Sequence, residues 1–250
     1  MSNIIGLGVT HLADAFIEVD EVLNERGYKD VILFSHMAKL LNVRIPDNSI
    51  IYNLEPFYDS SPILNIGYLE TMRRCKVYDY QRKNVEYLES IGIEANYLPY
   101  RYSPIMEKNV EQEEDIDILF FGGINARRIQ LLKQLEKSGL NYKIVTYGCF
   151  GKERDELISR AKIIINVHYQ DNYPLEVVRL NYLMANKRFI ISERGWDEEE
   201  NSIYEGGVVF CDYENLITKS IECLSNNEYR KNVAINGQKI MRNNPMRMAV

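Results

Sequence analysis

Short apolar runs alternate with longer amphipathic stretches along the whole chain. Runs with the length and composition of buried strands are predicted in the first part of the chain at residues 3–8, 31–35, 49–54, 75–78 and 95–99. In the second part they are predicted in IDILFFGG from residue 116, and at residues 142–147, 163–167, 189–192 and 207–211. Helices are predicted between them, at residues 11–27, 82–91, 127–138, 152–161, 174–186, 213–224 and 229–241. Strands that alternate with helices in this way predict an α/β protein with parallel sheets.

One polar segment interrupts the alternation. Residues 103–115 are acidic and poor in periodic apolar positions, which predicts a linker. The chain is therefore predicted to form two Rossmann-like domains facing a cleft, at residues 1–108 and 109–250. A second acidic run, residues 197–200, is predicted to be a solvated loop.

The segment AKIIINVHYQDNYPLEVVRLNYLMANKRFIISE, residues 161–193, carries the strongest functional pattern. It predicts a buried strand, a polar loop, a helix and a second buried strand, and ligands bind at the carboxyl edge of such a unit. The polar residues at that edge are His168, Glu176, Arg179, Asn181 and Glu193. A helix N-terminus can bind an anion through its free N–H groups, and an arginine can reinforce it. The pattern indicates a site for phosphate and hydroxyl groups, as in a nucleotide sugar.

A second motif, FFGGINARR, follows the strand that begins at residue 116. Gly122 and Gly123 would let the backbone approach a ligand, and Arg127 and Arg128 in the next turn could bind a diphosphate. The alternative is a surface helix with ordinary arginines. The sequence GLGVTH near the N-terminus begins like a dinucleotide fingerprint, but its sixth position is His11, which makes an NAD site improbable.

Three residues of the first half follow predicted strands and could act as a base. Glu55 follows SIIYNL, Asp79 follows KVY at the start of a helix, and His11 follows the first strand. Glu55 and Asp79 each have an ordinary alternative as a cap or turn residue. The helix macrodipole would lower the pKa of Asp79, whereas histidine titrates near neutrality without any perturbation.

Composition narrows the class of protein. The chain has 250 residues, 46% hydrophobic and 26% charged, which predicts substantial cores. Its formal net charge of -6 argues against a general nucleic-acid binder. The four cysteines are widely spaced without metal-ligand spacing, which favours reduced thiols and a cytoplasmic location. Neither a signal peptide nor an apolar run of about 20 residues, as a membrane span needs, is recognised.

With these motifs in view, the chain resembles glycosyltransferases of the two-domain GT-B fold. FFGGINARR matches the glycine-containing strand end and diphosphate-binding basic residue of that family, and the unit at 161–193 matches its nucleotide-sugar unit. YNLEPF and VYDYQRKNVEYLESIGI also resemble the compact bacterial and viral group that includes CgeB-like proteins. Many retaining members carry two glutamates across the helix of this unit, and Tyr173 and Asn181 stand at the corresponding positions. The retaining mechanism is therefore not carried over, and inversion is favoured.

The resemblance implies transfer of a monosaccharide from a nucleotide diphosphate sugar to a hydroxyl acceptor, with no cofactor and no bound metal. The first domain would hold a glycan acceptor and supply the base, with Asp79 and Glu55 ranked ahead of His11. The second domain would hold the donor. Two alternatives stay open: a sugar-nucleotide epimerase or hydrolase of the same fold, and a non-catalytic glycosyltransferase-like subunit.

Overall fold

The computed structural model describes residues 5–7, 31–34, 45–47, 49–57, 66–108, 110–146 and 149–246. It divides the chain into two compact units. One comprises Met1–Ser103 with Met246–Val250, and the other comprises Pro104–Pro245.

The first unit is built on a parallel sheet of five strands. They are β1 (Ile5–Leu7), β2 (Val31–Phe34), β3 (Ile50–Asn53), β4 (Lys76–Asp79) and β5 (Ala95–Tyr97), and they lie side by side in chain order. The described helices of this unit are α1 (Ile66–Arg73) and α2 (Arg82–Ser90). Ile51 and Val77 of the sheet pack with Met72 of α1 and Leu88 of α2 in one apolar core. The polar ends of β3 and β4 therefore reach the same edge, since these strands pair in register with Asn53 opposite Asp79.

The second unit has a parallel sheet in the order β10-β9-β8-β6-β7. Its strands are β6 (Ile116–Phe121), β7 (Tyr142–Val145), β8 (Ala161–Asn166), β9 (Ile190–Ser192) and β10 (Val209–Phe210). The helices are α3 (Ala126–Glu136), α4 (Gly151–Arg160), α5 (Val177–Ala185), α6 (Glu198–Tyr204), α7 (Leu216–Leu224) and α8 (Asn227–Asn243). Near-continuous apolar runs such as that of β8 are typical of strands covered on both faces. The order reverses between β6 and β8, which is the position where open α/β sheets bind ligands.

The boundary between the units lies directly after Ser103, the first residue of the segment predicted as a linker. Residues 104–108 and 110–115 belong to the second unit, whereas the predicted boundary was between residues 108 and 109. Asn186 holds this segment, because its Nδ2 donates to Met106 O at 2.7 Å and its Oδ1 accepts from Lys108 N at 2.7 Å. At the other end, Met246 belongs to the first unit, where its N–H donates to Tyr102 O at 2.8 Å.

The acidic run at 197–200 is a helix start, and its prediction as a loop is wrong. Asp197 caps α6 by accepting hydrogen bonds from Glu199 N and Glu200 N at 3.0 and 3.1 Å. Acidic side chains are favourable in the first turn because they face the positive end of the helix dipole. Helix α1 was not predicted either, and α5 begins at Val177 rather than near residue 174. Among the described residues, no helix is both long enough and apolar enough to cross a bilayer.

Candidate functional site

The carboxyl edge of the second sheet brings together most of the residues predicted to bind a donor. Gly122 follows β6, His168 closely follows β8 and Glu193 follows β9, and these three strands are neighbours. Asn125 then caps α3 by accepting a hydrogen bond from Arg128 N at 3.0 Å. The glycine turn and the N-terminus of α3 thus lie next to the loop that leads into α5.

Gly122 is required for the close approach of Arg179 to the end of β6. Its φ of +144° lies in a region that residues with a side chain rarely adopt. A Cβ at this position would lie 2.8 Å from Arg179 Nη2, well inside van der Waals contact. The Cβ of an alanine at Gly123, by contrast, would meet no atom within 4 Å. The guanidinium of Arg179 therefore occupies the space that the glycine leaves open.

The guanidinium of Arg179 is positioned by Asn166 and Phe121. Its Nη1 donates to Asn166 Oδ1 at 2.7 Å, and its guanidinium carbon lies 5.1 Å from the centre of the Phe121 ring. Within the part of the chain that the structure describes, this is the single hydrogen bond of the Arg179 side chain. Burial lowers the pKa of Arg179, which Glu176 partly opposes, but an arginine stays charged at neutral pH. Several N–H groups of a fixed, partly exposed cation are thus left for an anion.

His168 and Glu176 form the buried centre of the site. His168 Nδ1 lies 2.8 Å from Glu176 Oε2, and its Nε2 lies 2.9 Å from Arg194 O. Both ring nitrogens face acceptors, so the imidazolium, which has two N–H donors, fits this position. Burial opposes the charged ring, but Glu176, Glu193 and the Arg194 carbonyl together outweigh it and raise the pKa of His168. In turn, although burial acts the other way, His168 and Arg179 lower the pKa of Glu176 to about 2.

Glu176 also fixes the residue that orients Arg179. Its Oε2 accepts a hydrogen bond from Asn166 Nδ2 at 2.8 Å, and the same amide donates to Ser192 Oγ at 2.9 Å. With both of its N–H groups used, the Asn166 carbonyl is directed at Arg179. Asn166 and Ser192 were not singled out in the sequence, although each ends a buried strand at the ligand edge, which is the signal that could have found them.

Arg127 is committed to neighbours on the protein. It forms a bidentate ion pair with Glu193 and donates through Nε to Asp171 Oδ1 at 2.6 Å. Its guanidinium also stacks on Tyr213, 4.0 Å from the ring centre. Burial opposes the charge, but the hydrogen bonds to Glu193 and Asp171 outweigh it and raise the pKa of Arg127. Glu193 is correspondingly occupied, because its Oε2 also accepts from His168 N at 2.8 Å.

Arg128 is buried beneath the turns that follow β6 and β8, and it donates hydrogen bonds to both. Its Nε and Nη2 donate to Val167 O at 2.9 and 2.6 Å, and its Nη1 donates to Gly123 O at 2.7 Å. The residue is 4% exposed, and burial, together with the charge of Arg179, lowers its pKa to about 10. Arg128 thus ties the turns after β6 and β8 together.

Asn181 is not brought to this edge. It is fully buried within α5, where its Oδ1 accepts a hydrogen bond from Tyr204 OH at 2.7 Å. It was predicted as a secondary candidate for donor binding because it lies on the helical turn that follows Glu176. The contact with α6 shows that the turn which carries it packs against another helix.

In the first unit, Asp79 lies at the end of β4 in a closed polar cluster. It is fully buried and accepts from Asn53 Nδ2 at 2.6 Å, Gln81 N at 2.8 Å and Asn84 Nδ2 at 3.0 Å. Burial raises its pKa to about 8, although these donors pull the other way. The expectation that a helix dipole would lower this pKa is wrong, because desolvation of the carboxyl is the larger effect. Nothing in the sequence marks the closure of this cluster.

Glu55 follows β3, beside the Asp79 cluster, and is partly exposed. Its backbone is fixed, since Glu55 O accepts from Asn53 Nδ2 at 2.8 Å and from Asn84 Nδ2 at 2.9 Å. Tyr68 OH donates to Asn53 Oδ1 at 2.7 Å, and burial together with the charges of Glu55 and Asp79 raises the pKa of that tyrosine. His11, the third base candidate, lies outside the described residues. Among the described residues no group of three His, Cys, Asp or Glu side chains is arranged to hold a metal ion.

Sequence relatives of the chain occur in a virus. An uncharacterized protein, R358, of Acanthamoeba polyphaga mimivirus is 33% identical over 159 residues, or 61% of this chain and 54% of that protein. Another mimivirus protein, L137, is 28% identical over 158 residues, or 60% of this chain and 21% of that protein. The chain therefore matches about half the length of the first relative and about a fifth of the second. No protein-family model matches the chain.

Solved structures similar to the chain are glycosyltransferases. A glycosyltransferase from Rickettsia africae has a TM-score of 0.58 at 11% identity, over 97% of this chain and 93% of that one. The DNA-modifying β-glucosyltransferase, studied with and without uridine diphosphoglucose, has a TM-score of 0.55 at 14% identity, over 96% and 93%. WaaG, a glycosyltransferase involved in lipopolysaccharide biosynthesis, has a TM-score of 0.54 at 13% identity, over 94% and 80%. The chain has the GT-B glycosyltransferase fold, and the predicted α/β class is confirmed.

Proposed function

We propose that the protein transfers a monosaccharide from a nucleotide diphosphate sugar to a hydroxyl acceptor. The observation that carries the proposal is Arg179, a fixed cation with unused N–H groups over Gly122, where the strand order of the second sheet reverses. A guanidinium suits two oxygens of a diphosphate, and a glycine lets the ligand approach the backbone. The glycosyltransferase fold supports the same function.

In this proposal the donor diphosphate lies between Arg179 and the glycine turn before α3. As the bond between the anomeric carbon and the diphosphate breaks, negative charge grows on the leaving oxygen. Arg179 and the helix N-terminus would stabilise that charge, a role for which a metal ion is not invoked. Glu176 and Glu193 would act mainly through His168, Asn166 and Arg127, and any contact that they make with sugar hydroxyls uses their remaining lone pairs.

We propose Glu55 as the group that takes the acceptor proton. A base must reach the acceptor oxygen, and Asp79 is fully buried whereas Glu55 is partly exposed. The acceptor oxygen would attack the anomeric carbon as its proton passes to the Glu55 carboxylate. An inverting outcome is the simpler one, since Tyr173 and Asn181 stand where many retaining enzymes carry glutamates.

The finer assignments are also proposals. A glycan is the preferred acceptor because the net charge of -6 disfavours nucleic acid, although one similar enzyme is described as DNA-modifying. The mimivirus relatives support membership of the compact bacterial and viral type that resembles the CgeB-like group. The four free cysteines support a cytoplasmic location.

Donor binding tests the proposal directly. Nucleotide diphosphate sugars, beginning with UDP-glucose, would be screened by thermal shift, and the best ligand titrated by calorimetry. Arg179→Ala should weaken binding by about tenfold or more, because a charge-assisted hydrogen bond contributes about 1.5–3 kcal/mol. Arg160→Ala is the matched control, since Arg160 pairs with Asp115 before β6, at the opposite edge of the same sheet.

The outcomes separate the alternatives. Equal affinity in folded Arg179→Ala and wild type would contradict the assignment of the diphosphate site. Turnover of donor without any acceptor would indicate an epimerase or hydrolase. Donor binding with no turnover in the presence of a broad acceptor panel would indicate a non-catalytic subunit.

A further inference from the structure

The amino edge of the second sheet contains a cavity that takes no part in the proposed transfer. Its volume is about 220 Å³, and its walls include Ala161 at the start of β8, Phe189 just before β9 and Asn227 at the start of α8. The strand β8 separates this cavity from the carboxyl edge. At about 3.3 Å per residue, the six residues of β8 place the two sites about 20 Å apart.

The lining of the cavity is strongly basic in an acidic protein. Five lining residues are basic and one, Glu114, is acidic, whereas the whole chain has a net charge of -6. The basic residues are Lys162, Lys187, Arg188, Arg230 and Lys231. Lys162 is paired with Asp117 at 2.6 Å. Arg230 donates to Cys223 O at 2.8 Å, a carbonyl in the last turn of α7.

Arg188 has a buried donor that lacks an acceptor. Its Nη1 donates to Ser159 O and its Nη2 to Val110 O, each at 3.1 Å. Its Nε is buried and has no hydrogen-bond partner among the described residues. Burial lowers the pKa of Arg188, and the carboxylates of Glu114 and Glu111 only partly oppose this effect. An anion in the cavity would supply a compensating charge for the Arg188 guanidinium.

The remaining walls add a helix terminus and an apolar surface. The 17-residue helix α8 begins at the cavity, and the positive end of its dipole favours an anion. Phe189, Ala234 and Ile235 form an apolar side. A ligand that fills the cavity should therefore carry both a multivalent oxyanion and an apolar group.

We propose that this cavity binds a phosphate ester. The phosphate would lie against Arg188, Lys187 and Lys231, and the apolar substituent against Phe189 and Ile235. A soluble organic phosphate and a phospholipid headgroup share this chemistry, and the test distinguishes the two sources.

The test uses the full chain with phenyl phosphate in calorimetry, and with vesicles of phosphatidylcholine with or without phosphatidic acid in flotation. The double variant Lys187→Gln, Lys231→Gln removes two exposed cations of the cavity. Lys133→Gln, Lys137→Gln removes the same charge from exposed positions on and just after α3 and is the matched control. Arg179→Ala reports whether the ligand has bound at the carboxyl edge instead.

Saturable binding of phenyl phosphate that weakens at least about fivefold in the cavity variant, and less than about twofold in the control, would support a soluble ester. Flotation with phosphatidic acid that is lost in the same variant alone would support a lipid headgroup. No saturable binding in either arm, equal effects of both double variants, or loss confined to Arg179→Ala would overturn the proposal.

Discussion

Replacing Gly122 with alanine should uncouple Arg179 from the donor site. The new Cβ would lie 2.8 Å from Arg179 Nη2, where contacts of 3.4–4 Å are ordinary, so the guanidinium must move. The position also has a φ of +144°, and a side chain in so sparsely populated a region costs about 1–3 kcal/mol. The change therefore acts on both stability and ligand binding.

The effect on stability and the effect on binding can be measured separately. A loss of about 1–3 kcal/mol is a substantial fraction of the ~5–15 kcal/mol by which domains are typically stable, but a folded variant is expected. Displacing Arg179 removes a contact to a charged group of about 1.5–3 kcal/mol, which corresponds to about a tenfold to hundredfold loss of affinity. Urea unfolding followed by circular dichroism measures the first effect, and calorimetry with a nucleoside diphosphate measures the second.

Gly123→Ala is the control, because its Cβ would meet no atom within 4 Å. It should bind the nucleoside diphosphate within about twofold of the wild type. Wild-type affinity in folded Gly122→Ala would refute the role of the Arg179 approach. Equal losses in both variants would show that the turn, rather than its contact with Arg179, governs binding.

Three further predictions concern titratable side chains of the two units. The stabilisation that His168→Gln removes should be full below the ordinary histidine pKa of 6.5 and should fade as pH rises through the raised pKa of the folded state. On the acid side it should persist above pH 4.5 and fade as Glu176 is protonated towards its pKa of about 2; a pH-independent difference in urea midpoints would contradict this. Glu55→Gln should lower the rate of nucleoside diphosphate release during transfer by about a hundredfold or more. Asp79→Asn should instead lower the free energy of unfolding by about 1–3 kcal/mol and keep the rate, and the reverse pattern would move the base to Asp79.

The alternation of strands and helices in the sequence was enough to predict the α/β class and the second sheet. Strands such as β8 are readable because burial on both faces leaves a nearly continuous apolar run. The boundary was harder to place, because the segment around Met106 looks polar and irregular by itself. It belongs to the second unit through its bonds to Asn186, a partner about 80 residues away that no local pattern reveals.

At the site, parallel-sheet topology predicted which residues meet, but it could not predict what each would be doing. Arg127, Arg128 and Arg179 all occupy plausible positions for a diphosphate contact. Their roles separate only through side-chain partners that come from other elements, such as Glu193 for Arg127 and the Val167 carbonyl for Arg128. Likewise, the sequence places Asp79 at a strand end, but only its enclosure by Asn53 and Asn84 shows that it is inaccessible.

The partners of the charged residues at the carboxyl edge explain why Arg179 is the arginine left for a ligand. Arg127 is balanced by Glu193 and Asp171, and His168 is balanced by Glu176. Arg128 donates to the Val167 and Gly123 carbonyls and lies 3.5 Å from Glu176, whereas Arg179, beside the glycine turn, keeps N–H donors that no described residue uses. Because each paired side chain also positions a neighbouring side chain, the main role of the buried ion pairs is to fix the shape of the site rather than to contact the ligand. The His168–Glu176 pair orients Asn166, and Asn166 orients Arg179. Because this series of hydrogen bonds already fixes the Arg179 side chain, ligand binding would not have to pay the entropy cost of ordering it.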